Sequence, residues 1–450
     1  MIDATEKELR QKIEKIVMEL VEYKQEAQKF APGKTRIQYA GAVYDHTEIN
    51  SMINAILDGW FSGGKYTLTF ENKFAKTLGV KHAISVNSGS SANLVAMGAF
   101  FSNRLKKQFQ LKPGDEIITT GLSFPTTVNP IIQYNLIPVF VDVELGTYNP
   151  SVKDIENAIS PKTKGIFIAH TIGNPNEMDH LMDLVEDKDL ILIEDSCDAL
   201  GSKYDGKYVG TFGQFGTFSF FPAHHITTGE GGMVITNDTQ LTEIARSLRD
   251  WGRACVMPIC NPQTCGDTEC PRSLRSTAKN IFGLPEDYDK RYTYVEIGYN
   301  LKMTEIQAAM GLAQLEKLPR FIELRKRNFK LLYDAFMEFE DYFILPRWHK
   351  KSEVSWFVFP ITIRESAPFT RKEITRWLLK NNIEAKLFFS GNLLKHPAYH
   401  RINAKVAGEL KNSDLIAKNS FFIGVYPGLS EEMISYIVET IGKFISKYKK

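Results

Sequence analysis

The stretch from Phe212 to Gly232, FGQFGTFSFFPAHHITTGEGG, sets two histidines side by side at the exit of an apolar run. Thr217–Phe221 and Met233–Thr236 read as strands, with Pro222 and the Gly231–Gly232 pair supplying the breaks between them. Two adjacent imidazoles at a strand exit, followed by a polar, Gly-rich return, look like a site rather than packing. The plainer alternative is a surface pair of histidines in a loop. A second reactive set is the five cysteines. Cys197 stands alone, whereas Cys255, Cys260, Cys265 and Cys270 fall within sixteen residues. In a reducing compartment such a cluster reads as metal or iron–sulfur ligation more readily than as disulfides. Its rival is a self-contained four-cysteine zinc site, although such sites usually use closer pairs.

Two further patterns follow strand-like runs. Val86–Asn93, VNSGSSAN, leaves a strand and opens a helix through Gly89, Ser90 and Ser91. Small residues there let backbone N–H groups face a phosphate at a helix N-terminus, and an ordinary capped turn has the same composition. Ile193-Glu194-Asp195 ends another buried run. Asp195 can hold the nitrogen of a bound pyridine ring protonated, or simply cap the next turn. His170, at the end of its own strand, is a weaker candidate of the same kind.

The elements that must position these residues alternate along the chain. Apolar, β-branched runs at His82–Val86, Glu116–Thr120, Ile137–Asp142, Gly165–His170, Leu190–Glu194 and Thr217–Phe221 are separated by helical segments such as Ser91–Phe101 and Asp154–Ile159. Strands buried on both faces and joined by helical crossovers imply a mostly parallel sheet covered by helices, with ligands gathered at the carboxyl ends of its strands. Residues 6–30 predict a charged helix whose Leu9, Ile13, Ile16, Val17, Leu20 and Val21 form a docking stripe. A second helix is expected from Thr47 to Gly59, and two more over Met303–Leu318 and Leu318–Glu338. Regular periodicity is lost between Arg249 and Tyr292, a loop length that usually marks function or disorder. The expected organisation is a helical extension (1–40), a large domain (41–320) whose Cys-rich loop covers 250–290, and a small α+β domain (321–450).

Composition sets bounds on the function. Across 450 residues, 43% hydrophobic and 24% charged content is ordinary for a globular enzyme, and a net charge of +2 gives no case for nucleic acid or membrane binding. No apolar run reaches the roughly 20 residues of a bilayer span. The start, MIDATEKELRQK, is too charged for a secretory signal, so a cytoplasmic enzyme is the expectation.

Together the motifs resemble those of the vitamin B6-dependent DegT/DnrJ/EryC sugar aminotransferases, whose pattern S-F-x-x-x-K precedes G-E-G-G. Here Ser219 and Gly229-Glu230-Gly231-Gly232 match, while His224 stands where the family lysine holds pyridoxal phosphate as a Schiff base. The resemblance covers nearly the whole chain and implies the type I, aspartate aminotransferase-like fold. It implies Gly89, Ser90, Ser91 and Ser219 at the cofactor phosphate, Phe124 (in GLSFPTT) stacked on the ring, Asp195 at the pyridinium and Asp198 near the cofactor hydroxyl. Asn300, in GYNLKM, matches a residue that reaches the phosphate of the neighbouring subunit, which implies a homodimer. The histidine replacement and the N-terminal extension look like the group of lipopolysaccharide sugar enzymes that dehydrate CDP-4-keto-6-deoxy-D-glucose at C3.

That group uses pyridoxamine phosphate with a [2Fe–2S] cluster, and a flavin and iron–sulfur reductase supplies the electrons. The resemblance places cluster ligands at Cys197, Cys255 and Cys265, with the required 57 residues between the first two. Its remaining ligand position holds Met257, so Cys260, or else Cys270, must substitute. A histidine suits an enzyme whose cofactor stays a free amine, because only a base near C4′ is needed. The implied substrate is a nucleotide-linked 4-keto-6-deoxyhexose. A glutamate-dependent, cluster-free 3-dehydrase and a zinc-stabilised scaffold are the alternatives.

Overall fold

The computed structural model describes residues 4–26, 29–254, 283–284 and 292–448; Cys255, Cys260, Cys265 and Cys270 lie outside the described residues. Three helices come first: α1 (Ala4–Glu26), α2 (His46–Leu57) and α3 (Lys65–Leu78). Strands and helices then alternate through β1 (His82–Val86), α4 (Gly89–Ala99), β2 (Glu116–Thr120), α5 (Pro125–Gln133), β3 (Ile137–Val141), α6 (Val152–Asn157), β4 (Thr163–Ala169), α7 (Met178–Asp187) and β5 (Ile191–Asp195). A small hairpin, β6 (Lys203–Tyr204) and β7 (Lys207–Tyr208), precedes β8 (Phe215–Ser219), β9 (Gly232–Thr236) and α8 (Thr239–Arg249). The long α9 (Glu305–Phe336) leads to β10 (Phe343–Ile344), β11 (Ser352–Glu353), β12 (Val358–Ile363) and α10 (Arg371–Lys380). Last come β13 (Lys386–Leu387), β14 (Lys405–Val406), α11 (Lys411–Asn419), β15 (Ser420–Gly424) and α12 (Glu431–Ile445).

Eight strands form one sheet in the order β1-β9-β8-β5-β4-β2-β3-β14. Pairing is parallel from β8 through β14, while β9 runs antiparallel to both β1 and β8. All five residues of β2, β5, β8 and β9 are buried, as expected for strands covered on both faces. A second, antiparallel sheet, β10-β12-β15-β13, carries its own core around Phe336, Phe359, Ile374, Phe421 and Ile441. This is the expected type I arrangement, a mostly parallel sheet between helices with a smaller C-terminal unit. No described helix is long and apolar enough to cross a membrane.

Two local expectations change, and one helix start has a distant cause. The stripe on α1 splits: Val21 is buried and Ile13 and Val17 half-buried, but Leu9, Ile16 and Leu20 face outward. The helix is fixed less by that stripe than by Arg10, which donates to Asn54 Oδ1 at 2.9 Å and to Asp58 Oδ1 at 3.2 Å near the end of α2. The two helices expected to meet at Leu318 are one, with Pro319 inside α9. Leu315, Leu318 and Phe321 are buried on either side of the proline, so packing carries the helix across the lost N–H. Finally, α3 starts at Lys65 because Glu305, 240 residues away in sequence, accepts the amides of Gly64, Tyr66 and Thr67, each at 2.8 Å. No local capping signal could announce that.

Candidate active site

A cavity of about 500 Å³ opens where the carboxyl ends of β1, β2, β4, β5 and β8 converge. The alternation along β5 decides what faces it. Asp195 points into the cavity. Its neighbour Glu194 points away and accepts the amides of Gly210, Phe212 and Gly213 at 2.7–2.8 Å. His170 belongs to that second network: its Nε2 meets Glu194 Oε2 at 3.0 Å and its Nδ1 accepts the Asn176 amide at 3.1 Å. Both pair members are 1% exposed. His170 is therefore a structural residue and not part of the site.

The Asp195 carboxylate is held from three sides. Oδ2 accepts Asn93 Nδ2 at 2.8 Å and Thr127 Oγ1 at 2.7 Å, and Oδ1 accepts the Cys197 amide at 3.1 Å. Asn93 is itself oriented by Thr217, whose hydroxyl donates to Asn93 Oδ1 at 2.6 Å. Buried donors around one carboxylate fix an anionic group whose position is set before any ligand arrives.

Opposite lies the first turn of α4. Ser88 caps it, accepting the Ser91 amide at 3.1 Å. The Gly89 and Ser90 amides, in the first turn, have no intrahelical acceptor. Gly89 leaves no space for a side chain, since a Cβ there would lie 2.5 Å from Ser219 Cβ and 3.0 Å from Cys197 Sγ. Ser88, Gly89, Ser90 and Ser219 line the cavity, whereas Ser91 is spent on the cap and does not. The result is an uncharged anion cradle at a helix N-terminus.

His224 and Asp198 close the next side, with His224 Nδ1 3.5 Å from Asp198 Oδ1, too far for a hydrogen bond. Burial, and then the Arg325 cation, push His224 down to about 3. Burial, followed by the Asp195 charge, raises Asp198 to about 8, against the opposing Ile172 amide and Arg325. At neutral pH the imidazole is therefore uncharged, with a lone pair to offer. The Cys197 thiol is raised well above its ordinary value, chiefly by burial and then by Asp195. Phe124 lies half exposed on the cavity wall, edge-on to Phe389 at 6.2 Å between ring centroids. Asn300 is elsewhere: it is exposed, pairs with Asp250 and accepts a bond from Lys302 Nζ at 2.8 Å.

A family profile, the DegT/DnrJ/EryC1/StrS aminotransferase family, matches residues 43–261 and 267–442. The chain belongs to that family. It is 43% identical over 441 residues to the lipopolysaccharide biosynthesis protein RfbH of Salmonella typhimurium, covering 98% of this chain and 99% of that protein. It is also 43% identical over 423 residues to a dTDP-4-dehydro-2,6-dideoxy-D-glucose 3-dehydratase of Saccharopolyspora spinosa, covering 94% and 89% respectively. Among solved structures, an E. coli GDP-4-keto-6-deoxy-D-mannose-3-dehydratase with bound hydrated PLP superposes with a TM-score of 0.79 at 31% identity, covering 90% of this chain and 99% of that one.

In this DegT/DnrJ/EryC1/StrS chain the structure thus brings Gly89, Ser90, Phe124, Asp195, Cys197, Asp198, Ser219 and His224 around one cavity. Sequence reasoning missed Thr127, whose only signal is its place in the PTT start of α5 after β2, and the wall formed by Phe357, Phe389 and Phe422. Lys386, the single lysine among the lining residues, was missed as well; it pairs with Glu384 at 2.8 Å. Among the described residues no cluster of three metal-binding side chains occurs.

Proposed function

We propose that the protein is a pyridoxamine phosphate-dependent dehydratase that removes the C3 hydroxyl of a nucleotide-linked 4-keto-6-deoxyhexose. One observation carries the reading: a half-buried, uncharged His224 shares the cavity with the Asp195 carboxylate and the Gly89–Ser219 anion cradle, where a transaminating enzyme requires a lysine amine. Dehydratases similar to this chain support it.

The residues fit the cofactor. Gly89, Ser90 and Ser219 would take its phosphate, Asp195 its protonated ring nitrogen, and Phe124 one face of the ring. When bound, pyridoxamine phosphate supplies an amine that condenses with the C4 carbonyl of the sugar and a ring that accepts electrons. His224 would take a proton at C4′ and, as an imidazolium, return it to the C3 hydroxyl, which would leave as water. Lacking an amine at position 224, the chain would hold the cofactor by such non-covalent contacts. CDP as the nucleotide is part of the proposal, as is a homodimer in which Asn300 reaches the partner subunit's cofactor phosphate.

We further propose a [2Fe–2S] cluster on Cys197, Cys255, Cys260 and Cys265, fed by a flavin and iron–sulfur reductase, to deliver the two electrons that convert the dehydrated sugar to a 3-deoxy product. Anaerobic purification with iron, sulfide and zinc analysis tests this part: about two irons and two sulfides per chain are expected. Zinc without sulfide would sink the cluster and leave the dehydration. The dehydration itself is tested by exchange of the C3 hydroxyl with oxygen-18 water in the absence of reductase. Failure of that exchange with every nucleotide-linked 4-keto-6-deoxyhexose would overturn the main reading, and net turnover with glutamate alone would favour a cluster-free enzyme.

A further inference from the structure

Arg325 stands in the middle of α9 with its side chain fully buried, 1% exposed. Its polar contacts are main-chain carbonyls: Nη1 donates to Trp356 O at 3.1 Å and Phe357 O at 2.9 Å, and Nη2 to His224 O at 3.0 Å. Nε has no partner among the described residues. Burying a guanidinium against neutral acceptors costs desolvation that an aliphatic side chain of similar length would avoid. What the fork accomplishes there is local. It joins the turn that carries the base to the segment Ser355–Phe357, which runs into β12.

That segment is pinned from several directions. Ser355 O accepts His225 Nε2 at 2.8 Å, the Ser355 amide donates to Ser202 Oγ at 2.8 Å, and the Phe357 amide donates to Ile172 O at 2.9 Å. The Phe357 ring lies against the His224 imidazole, 5.1 Å between centroids at an interplanar angle of 30°. Arg325 therefore holds the main chain of the base and the main chain of the ring that supports it with one rigid, planar group.

We propose that Arg325 is a positioning residue for the dehydration: its guanidinium locks the His224 main chain to Ser355–Phe357 and so fixes the imidazole relative to the proton it removes. The inference rests on the function proposed above. It concerns this chain's loop geometry and requires no contact between Arg325 and substrate.

The test uses the full chain loaded with pyridoxamine phosphate. In Arg325→Met the rate constant for C3 hydroxyl exchange should fall about 100-fold, the loss that a misplacement of about 1 Å brings. The KM of the nucleotide sugar and the affinity for pyridoxamine phosphate should stay within about threefold, since neither is contacted. Arg325→Lys keeps the charge but not the fork and should recover only part of the rate. Amide hydrogen exchange read by mass spectrometry gives a signal independent of turnover: the peptide spanning 221–228 should exchange about tenfold faster in Arg325→Met while β5 is unchanged. In a His224→Asn background neither Arg325 substitution should lower residual exchange further, because both act through one group. A multiplicative loss there overturns the proposal, and so does Arg325→Met with full kcat and unchanged amide exchange. Should Arg325→Met fail to fold, Arg325→Lys alone and with His224→Asn carries the same comparison. If the parent chain exchanges no C3 hydroxyl on any substrate, the proposed reaction is what fails, and amide exchange at 221–228 still decides whether Arg325 locks the loop.

Discussion

Replacing Thr127 with valine changes one atom group in the site and tests how Asp195 is held. The Thr127 hydroxyl is buried and donates to Asp195 Oδ2 at 2.7 Å, leaving Asn93 Nδ2 at 2.8 Å as the other donor to that oxygen. Valine keeps the shape of threonine, so no cavity opens and the change isolates a hydrogen bond to a charged acceptor, worth about 1.5–3 kcal/mol. The carboxylate then turns about a single remaining donor on Oδ2. The ring nitrogen of the cofactor meets that looser partner, and the Kd of pyridoxamine phosphate should rise about tenfold, close to 1.4 kcal/mol. Absorbance titration of the cofactor-free chain near neutral pH measures it, with the urea midpoint recorded in parallel. In an Asp195→Asn background the acceptor is neutral, and the same substitution should cost only about 0.5–1.5 kcal/mol. A Thr127→Val chain with an unchanged Kd and midpoint, or an undiminished effect in the Asp195→Asn background, would refute the idea that a charge-assisted network presets this carboxylate.

Gly89→Ala would place a Cβ 2.5 Å from Ser219 Cβ, which no rotamer of serine can move, so about 1–3 kcal/mol of overpacking should displace the cradle; cofactor loss on gel filtration checks it, and full retention of the cofactor would refute it. His224→Lys should retain pyridoxal phosphate through dialysis and borohydride treatment while losing C3 hydroxyl exchange, and full exchange activity would remove His224 from the mechanism. Because burial and Arg325 push His224 down to about 3, the base stays neutral and competent as pH falls, and activity should disappear only when pH drops through that lowered value. An acid limb near the ordinary histidine value of about 6.5 would show instead that the loaded site restores the charge. Cys265→Ser should abolish the reductive step yet preserve oxygen-18 exchange at C3; loss of both in a folded chain would break the division between dehydration and electron delivery.

Strands β1 to β5, β8 and β9 were legible because each is a short apolar run between turn residues, whereas the exposed two-residue edge strand β14 carries no such run. Asp195 and His224 were legible because each follows such a run in a pattern that a whole family shares. What the sequence hides are partners brought from afar. Thr127 lies 68 residues from Asp195, Glu305 caps a helix more than two hundred residues upstream, and Arg325 meets His224 across 101 residues. None of these has a local signature: a threonine or an acid in the first turn of a helix and an arginine in a charged helix are all ordinary. His170 shows the converse. Its strand-end position invited a functional reading, and only the period-two alternation that sends Glu194 and Asp195 to opposite faces reveals it as the partner of a buried structural carboxylate.

The groups of the site are divided between the two sheets in a way that bears on catalysis. Asp195, Ser219 and the first turn of α4 sit on the ends of the large sheet, so the cofactor-facing residues share one rigid frame. His224 belongs to the same loop as Ser219 but is clamped through Arg325 to Ser355–Phe357, the entry to the small sheet. From Phe357 a chain of rings continues to Phe389 at 6.4 Å and from there to Phe422, in β15, at 5.9 Å. These rings line the cavity. The base and that apolar wall are therefore tied together, and under the proposed reaction a 6-deoxy sugar packed against the wall would set the distance between His224 and the proton at C4′. Contacts far from the reacting carbon thus become orientation at it. A substitution such as Phe389→Ala should lower kcat as well as raise KM, whereas a wall that only gathered substrate would change KM alone.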